Sequence, residues 1–594
     1  MSTKPVIYST PEDTDFLSEL PDRIKNGNSE KLAELLLSYP TVYIHFWPGQ
    51  LVQYIDKKGI SRSFQKYNVY VGESNNVISR TKQHYESGED PGKWQYILTH
   101  SREIPQIIIV GHEYFNKSFT LDMENRLIEY MMASEHSVEK LHNGRGNPQN
   151  EYYPAEKFEE VFHSVWRELR KIKPDLFLSE SAIQHSALYK ASPLKKLTDE
   201  QIEAKETIIA KIYDAVESDQ DGQLVFVQGE AGTGKTVLNS SIFYEILTNG
   251  EDLFGREIDC HILVNHDQQI TVYEQIAKRL GLGDDIVHKP SQFINKFSEE
   301  RKVDVAFVDE AHLLLTRGNQ GYSGHNQLED IIKRSRVTVV MFDEYQVLNS
   351  EEYWEPDLLE KFKSIAHRQH SYIGLSRQLR MQCSLSTRNW LDDFVLNGRL
   401  CEFTRDDKYE VKSFDSPKAL YDAIYEKASK EETRLSRLVA TYDWEYNGVH
   451  RPEKKAFWDV DINGWTMPWN YETKSELTPK ELKQIKNLAW AEQPHTINEV
   501  GSTYTIQGFD LSYVGVILGP SVKYRNGDII FDPSESYNAR ATSRRTLSDG
   551  SKRSFGETFI RNEVKVLLSR GVNGLYIYAC DESLRNALKT IAKI

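Results

Sequence analysis

One run of the chain has residue types and spacing suited to phosphate chemistry: Gly229-Glu230-Ala231-Gly232-Thr233-Gly234-Lys235-Thr236. An apolar stretch over residues 224–227 leads into it, and an amphipathic pattern over 237–248 follows. Gly229, Gly232 and Gly234 let backbone N–H groups turn inward around phosphate oxygens. Lys235 can reach the β- and γ-phosphates, and the Thr236 hydroxyl can ligate Mg²⁺. The helix expected after the loop aims the positive end of its dipole at the anion. A strand before and a helix after argue against a chance glycine-rich turn.

A second piece lies downstream. The apolar run 303–308 ends in Asp309-Glu310-Ala311-His312. An Asp at the end of a neighbouring strand can hold Mg²⁺, and the adjacent Glu can orient and deprotonate water. This combination resembles helicase-type (superfamily 1) ATPases. The resemblance implies an adenine-reading role for Gln201 and a γ-phosphate-to-nucleic-acid coupling role for Asp343 and Gln346. It also implies a γ-phosphate contact for Arg380, a second-lobe TxxxQGxD motif containing Gln507 and Gly508, and an arginine finger at Arg570. Tyr442-Asp443-Trp444, Trp469-Asn470 and the stretch from Asn562 to Tyr578 extend the match. They make the region from about 195 to 590 similar to the bacterial ATPases described as Schlafen-like DNA/RNA helicase domains. Two RecA-like lobes with ATP and Mg²⁺ in the cleft between them are implied. Unwinding, translocation and nucleotide sensing stay open.

The N-terminal part holds another constellation. Thr41-Val42-Tyr43-Ile44 is followed by Tyr70-Val71-Gly72, and Arg80 and His84 then share a helix face at i and i+4. This resembles the GIY-YIG nuclease family, although Val42 stands where the first motif has its Gly. The resemblance implies Tyr43 as the base or base-assisting hydroxyl, with Tyr70 beside it. Arg80 would stabilise phosphate charge, His84 would orient a tyrosine or relay its proton, and Glu124 would hold Mg²⁺ or Mn²⁺. Glu129 and Glu135 compete with Glu124 for that role, and the stretch from Leu141 to Pro148 supplies the asparagine-containing loop. Hydrolysing a phosphodiester needs these types: a base for water, a cation for the pentacovalent charge, and a metal that keeps most of its waters.

The elements that must position these residues give an α/β fold class: a small GIY-YIG α/β domain followed by two RecA-like parallel-sheet lobes. Apolar β runs at 224–227, 261–264, 303–308, 337–342, 438–442, 514–518 and 574–578 alternate with amphipathic helices, the pattern of parallel sheets. The expected division is an N-terminal arm and helix (1–39), the nuclease-like domain (40–155), a helical connector (156–195), lobe 1 (196–405) and lobe 2 (406–594). Trp444, Trp458, Trp465, Trp469 and Trp490 could stack on bases, but core packing is the stronger expectation.

Composition sets the outer limits. At 594 residues with 39% hydrophobic and 11% aromatic content, a disordered chain or a fibrous repeat is excluded. The net charge of −15 excludes a histone-like basic coat, so bound nucleic acid must use a confined groove. Cys260, Cys383, Cys401 and Cys580 lack metal or redox spacing. No run reaches the ~20 apolar residues of a membrane span, and a protein of the cytoplasm is expected. The expected function is an ATP-dependent or ATP-regulated DNA endonuclease with a helicase-like motor, of a kind suited to bacterial defence against phage. Repair or restriction of structured DNA, and a non-cutting ATP-switched binding module, are the alternatives. DNA is the expected partner, RNA stays open, and so do a homo-oligomer and an accessory protein.

Overall fold

The computed structural model describes the whole chain except residues 1–3, 14, 56–60, 87–95, 97–99, 101–102, 135–136, 144–151, 185, 319–321, 454, 486–487 and 507–508. It divides into two compact units, residues 1–196 with 275–284, and residues 197–274 with 285–594.

In the first unit, β1 (Val6–Pro11), β2 (Thr41–Ile55), β3 (Ser61–Ser74), β4 (Gln106–Gly111) and β5 (Val138–Leu141) form a sheet in the order β1-β4-β2-β3-β5. β2 and β3 are antiparallel, with Tyr43 opposite Gly72 and His45 opposite Tyr70. β4 reads as a continuous apolar run because it is central and buried along its length. The helices Phe16–Gly27 and Glu30–Leu37 pack Phe16, Leu20, Ile24 and Leu36 against Tyr43, Ile107 and Ile109. The helix Val77–Glu86 starts where Asn76 Oδ1 accepts from Ser79 N at 3.0 Å. The long helix Lys117–Ala133 starts at Asn116, whose side chain accepts from Phe119 N.

Two expectations change here. Residues 1–28 are not a polar arm: β1 pairs antiparallel with β4, and Phe16–Gly27 is a helix with one buried face. Its buried residues Phe16, Leu20 and Ile24 fall at every fourth position, so the stretch looks polar in composition while still burying a stripe. The 1–39 segment is thus part of the N-terminal sheet domain. The helices at Phe158–Ile172, Glu180–Gln184 and Ala187–Lys190 occupy the expected connector and group with the same unit.

The second unit contains two parallel sheets. In lobe 1, β6 (Gln223–Gly229), β7 (Cys260–Leu263), β8 (Val287–His288), β9 (Val303–Val308), β10 (Ser335–Phe342) and β11 (Tyr372–Leu375) run in the order β11-β6-β10-β9-β7-β8. β6 therefore lies beside β10, and β10 beside β9, which brings the loops after all three strands to one edge. Ligands of such sheets bind beyond the carboxyl ends of the strands. In lobe 2, β12 (Glu410–Ser413), β13 (Arg437–Ala440), β16 (Leu511–Leu518) and β21 (Gly571–Ala579) form a sheet in the order β12-β21-β16-β13. Three hairpins decorate it: β14 (Asp459–Ile462) with β15 (Trp465–Pro468), β17 (Val522–Arg525) with β18 (Asp528–Phe531), and β19 (Arg545–Thr546) with β20 (Lys552–Arg553).

The lobe boundary falls earlier than expected. Met381, Trp390, Leu391, Phe394 and Leu400 belong to the same buried cluster as Val516, Ile560 and Ile577 of lobe 2. The segment carries the helix Leu385–Val395, and composition marks no change there. The tryptophans serve packing. Trp469 and Trp490 are fully buried, and Trp444, Trp458 and Trp465 rest against the cluster that contains Trp469.

Gly72 is required by close approach. A Cβ there would lie 2.4 Å from the Tyr43 hydroxyl. Gly72→Ala is expected to cost about 1–3 kcal/mol of stability by overpacking, seen as an earlier calorimetric transition of the N-terminal unit.

Candidate functional site

The phosphate loop is built as its sequence implies. β6 ends at Gly229, and the helix Lys235–Phe254 begins at once, with Gly232 at φ +89° and Gly234 at φ +81°. Both angles are strained for any residue with a side chain. A Cβ on Gly234 would also meet Gln201 Nε2. Lys235 Nζ donates to Gly229 O at 2.6 Å and Glu230 O at 2.9 Å, and stands 3.5 Å from Asp343 Oδ2.

Asp309 and Glu310 follow β9 directly. Glu310 has φ +48°, an uncommon conformation for a residue with a side chain. Thr236 hydrogen-bonds the Asp309 carboxyl, which also accepts from Tyr273 Oη at 2.6 Å. Burial, and then the charge of Glu310, push the Asp309 carboxyl up. Burial alone would raise Glu310 too, but His312 and Lys235 outweigh it and hold Glu310 below its ordinary value. Glu310 Oε1 accepts from Gln269 Nε2 at 3.2 Å, and Glu310 Oε2 is 3.6 Å from His312 Nε2. Burial likewise opposes ionisation of Asp343, but Lys235, His312 and Gln346 hold it below the usual range.

From Asp343 a line of contacts crosses to lobe 2. Gln346 Nε2 donates to Asp343 Oδ2 at 2.8 Å, and Gln346 Oε1 accepts from Arg570 Nη2 at 3.0 Å. Arg570 Nη1 in turn donates to Phe509 O at 3.3 Å, inside the TxxxQGxD segment. Arg380 forms an ion pair with Asp510 of that segment. Burial first, and then Arg380, bring the Arg570 guanidinium down to about 9. Beside this line a small pocket is lined by Glu230, Asp343, Gln346 and Lys565 among others. Lys565 Nζ lies 3.2 Å from Glu230 Oε2 and 3.8 Å from the Tyr345 ring centroid.

The sequence-predicted ATP-site residues Gly229, Gly232, Gly234, Lys235, Thr236, Asp309, Glu310, Asp343, Gln346, Arg380 and Arg570 therefore line one cleft or touch residues that do. Gln201 joins them at the phosphate loop. Its Oε1 accepts from Thr198 N at 3.0 Å and its Nε2 donates to Thr233 O at 3.1 Å, so the amide braces the phosphate loop. Gln507 and Gly508 lie outside the described residues. Sequence reading passed over Gln269 and Tyr273, which hold the two carboxylates. Their i, i+4 spacing on the helix Asp267–Leu280, immediately after β7, was the available signal.

The N-terminal candidates also converge. Tyr43 Oη is 3.0 Å from His84 Nε2, and the Tyr43 and Tyr70 ring centroids are 6.3 Å apart. Arg80 hydrogen-bonds both tyrosines. Burial, then Tyr70, push Tyr43 well up, while burial, then the charge on Glu124, raise Tyr70. Burial, then His45 and Arg80, bring His84 down to about 3, so its imidazole is neutral and able to accept from Tyr43. Burial, then Glu73, push Glu124 up to about 7. Glu73 was missed by the sequence reading although it directly follows Gly72. It accepts from Thr120 Oγ1 at 3.3 Å and pairs with Lys117. Asn143 Oδ1 accepts from Val71 N at 3.1 Å, tying the asparagine-containing loop to the second motif. Glu129 faces Arg126 instead of the tyrosines, and Glu135 lies outside the described residues. Among the described residues no three His, Cys, Asp or Glu side chains form a metal-binding group, and no helix is long and apolar enough to cross a membrane.

A phosphate loop, an Asp-Glu pair at the end of β9, one strand removed from β6, and an arginine from a second parallel-sheet lobe define a two-lobed ATPase core of helicase type. Residues 222–581 match the Schlafen group 3, DNA/RNA helicase domain, and the chain belongs to that family. The uncharacterized protein YPL245W of Saccharomyces cerevisiae is 30% identical over 460 residues, spanning 72% of this chain and 97% of the yeast protein. A Pif1 helicase structure describing DNA unwinding at forked duplex DNA is 13% identical, with a TM-score of 0.26, over 64% of this chain and 92% of its own. The Pif1 helicase of Candida albicans is 14% identical, with a TM-score of 0.26, over 67% and 97%.

Glu563 lies within the cleft-lining helix Gly556–Leu568 and accepts from Tyr442 N at 3.1 Å and Thr503 Oγ1 at 3.2 Å. Burial, then Asp443, push its carboxyl up to about 8. A raised carboxyl holds its proton in the folded state at pH values where the unfolded chain has lost it. Its contribution is full below the unfolded value and is lost as pH rises toward about 8. Glu563→Gln should therefore flatten the fall in melting temperature between about pH 5 and 8, read by scanning calorimetry.

Proposed function

We propose that the chain is an ATP hydrolase acting on nucleic acid whose N-terminal unit cleaves phosphodiesters, with nucleotide state governing the cutting. The observation that carries the ATPase half is the continuous line Lys235–Asp343–Gln346–Arg570, from phosphate loop to second lobe. In this reading Glu310 orients and deprotonates the attacking water, aided by the positive charge of Lys235. Arg570 faces charge that develops on the γ-phosphate, and its fixed partners mean that little reorganisation is needed at the moment of reaction. Thr236 and Asp309 offer a hydroxyl and a carboxylate already in contact, a hard-oxygen pair that fits Mg²⁺. Bound there, the ion would neutralise phosphate charge.

The observation that supports the nuclease half is the gathering of Tyr43, Tyr70, Arg80, His84 and Glu124 into one cluster. His84 accepts the hydrogen bond of the Tyr43 hydroxyl and orients that hydroxyl toward the attacking water, and Arg80 lies against both tyrosines to meet the phosphate. Glu124 and Glu73 form a crowded acidic pair, and their mutual repulsion fits a hard divalent cation, Mg²⁺ or Mn²⁺. Such an ion would stabilise the pentacovalent charge. The first unit, residues 1–196, is thus assigned to cutting and the second to ATP. DNA is the proposed substrate. The bacterial-defence role rests on none of these residues, and the yeast relative places a similar chain in a eukaryote.

Two variants separate the halves. Lys235→Ala should lower ATP hydrolysis by at least about a hundredfold and abolish the response of cutting to ATP. Glu124→Ala should abolish cutting of plasmid and linear duplex with Mg²⁺ while ATP hydrolysis persists. Equal cutting by wild type and Glu124→Ala would remove the nuclease assignment.

A further inference from the structure

Glu12 stands outside both sets of motifs, yet its carboxylate is buried directly behind the N-terminal cluster. The side chains of Glu12 and His45 are both 0% exposed. Glu12 Oε1 lies 2.8 Å from His45 Nδ1, and Glu12 Oε2 accepts from Tyr85 Oη at 2.5 Å. The backbone of Glu12 is fixed as well, through its N–H to Pro105 O at 2.8 Å. A carboxylate removed from water is tolerated only with such partners.

Those partners occupy telling positions. His45 follows Tyr43 by two residues on β2, so the two side chains share a face of the sheet. Tyr85 follows His84 on the helix Val77–Glu86. One carboxylate thereby ties the strand that carries Tyr43 to the helix that carries His84 and Arg80. The His45 ring centroid is 5.4 Å from that of Tyr43, 6.2 Å from Tyr70 and 5.9 Å from His84. The charged and titratable groups facing His84 are Tyr43 and His45 from β2, Tyr70 from β3, and Arg80 from its own helix.

We propose that Glu12 is the positioning residue of the N-terminal site, holding the Tyr43–His84 hydrogen bond in register through His45 and Tyr85. This rests on the reading of that site as a phosphodiester-cleaving centre. Glu12 touches no reacting atom. It acts by fixing two rings, those of His45 and Tyr85.

The test uses full-length wild type, Glu12→Gln and Glu12→Asp. Cleavage of duplex DNA with Mg²⁺ should lose at least about tenfold in kcat in Glu12→Gln, with little change in KM and a displaced pH profile. A second readout does not need cleavage. In protein labelled at histidine Cε1, with His84 assigned by His84→Gln, the His84 titration midpoint should move in Glu12→Gln, because the buried carboxylate behind the cluster is lost and the Tyr43–His84 hydrogen bond is no longer held in register. Glu12→Asp keeps the charge but is one methylene too short to serve both partners, so it should retain the midpoint better than the rate. It also serves if Glu12→Gln does not fold. Unchanged kcat, pH profile and His84 titration would overturn the proposal. If wild type cuts nothing, the cleavage reading falls, and the His84 titration alone decides: a moved midpoint supports Glu12 as positioner, an unmoved one overturns it.

Discussion

A fully buried guanidinium at the junction of two lobes is the constraint on which the ATPase core turns. Arg570 is 0% exposed, and taking such a charge out of water costs several kcal/mol even after relaxation. Two hydrogen bonds, to Gln346 and to the Phe509 carbonyl, and the field of Asp510, Glu310 and Asp343 offset part of that cost. Arg380 works against it. The lobes cannot separate here without breaking the hydrogen bond from Arg570 to Gln346. A change at Lys235 or Asp343 is therefore felt by the backbone of the second-lobe motif through a route of direct contacts.

The same physics organises the N-terminal unit around different groups. Burial keeps His84 neutral and keeps the proton on Tyr43, so their hydrogen bond has a defined direction. Burial also raises Glu124, and Glu73 adds to the effect. Each site thus sets carboxylates in a desolvated place where an added cation is worth more than it would be in water. In the ATP cleft the crowded pair is Asp309 with Glu310; in the first unit it is Glu124 with Glu73.

Much of this was legible in the sequence because strand ends and loops are local. The 303–308 run coincides with β9, and the phosphate loop is bounded by the strand and helix that its glycines require. What was illegible depends on tertiary partners. The hydrogen bonds of the Gln201 amide to a helix cap and to the phosphate loop could not be read from its place in a motif order. The 381–400 segment belongs to the lobe 2 core through contacts that composition does not mark. β1 and Glu12 were hidden in a segment that looked polar, because a helix stripe of three apolar residues scarcely alters its average.

The most direct test of the central claim, that Gln346 and Arg570 join the phosphate loop to the second lobe, is nucleic-acid-stimulated ATP hydrolysis by Gln346→Ala, measured beside its affinity for a fluorescent ATP analogue. Nucleotide affinity should stay near that of wild type, while the stimulation falls by at least about tenfold, the loss expected when a coupling of roughly 1–3 kcal/mol is cut. Stimulation as strong as in wild type would contradict the account, since the line from Asp343 to Arg570 would then carry nothing.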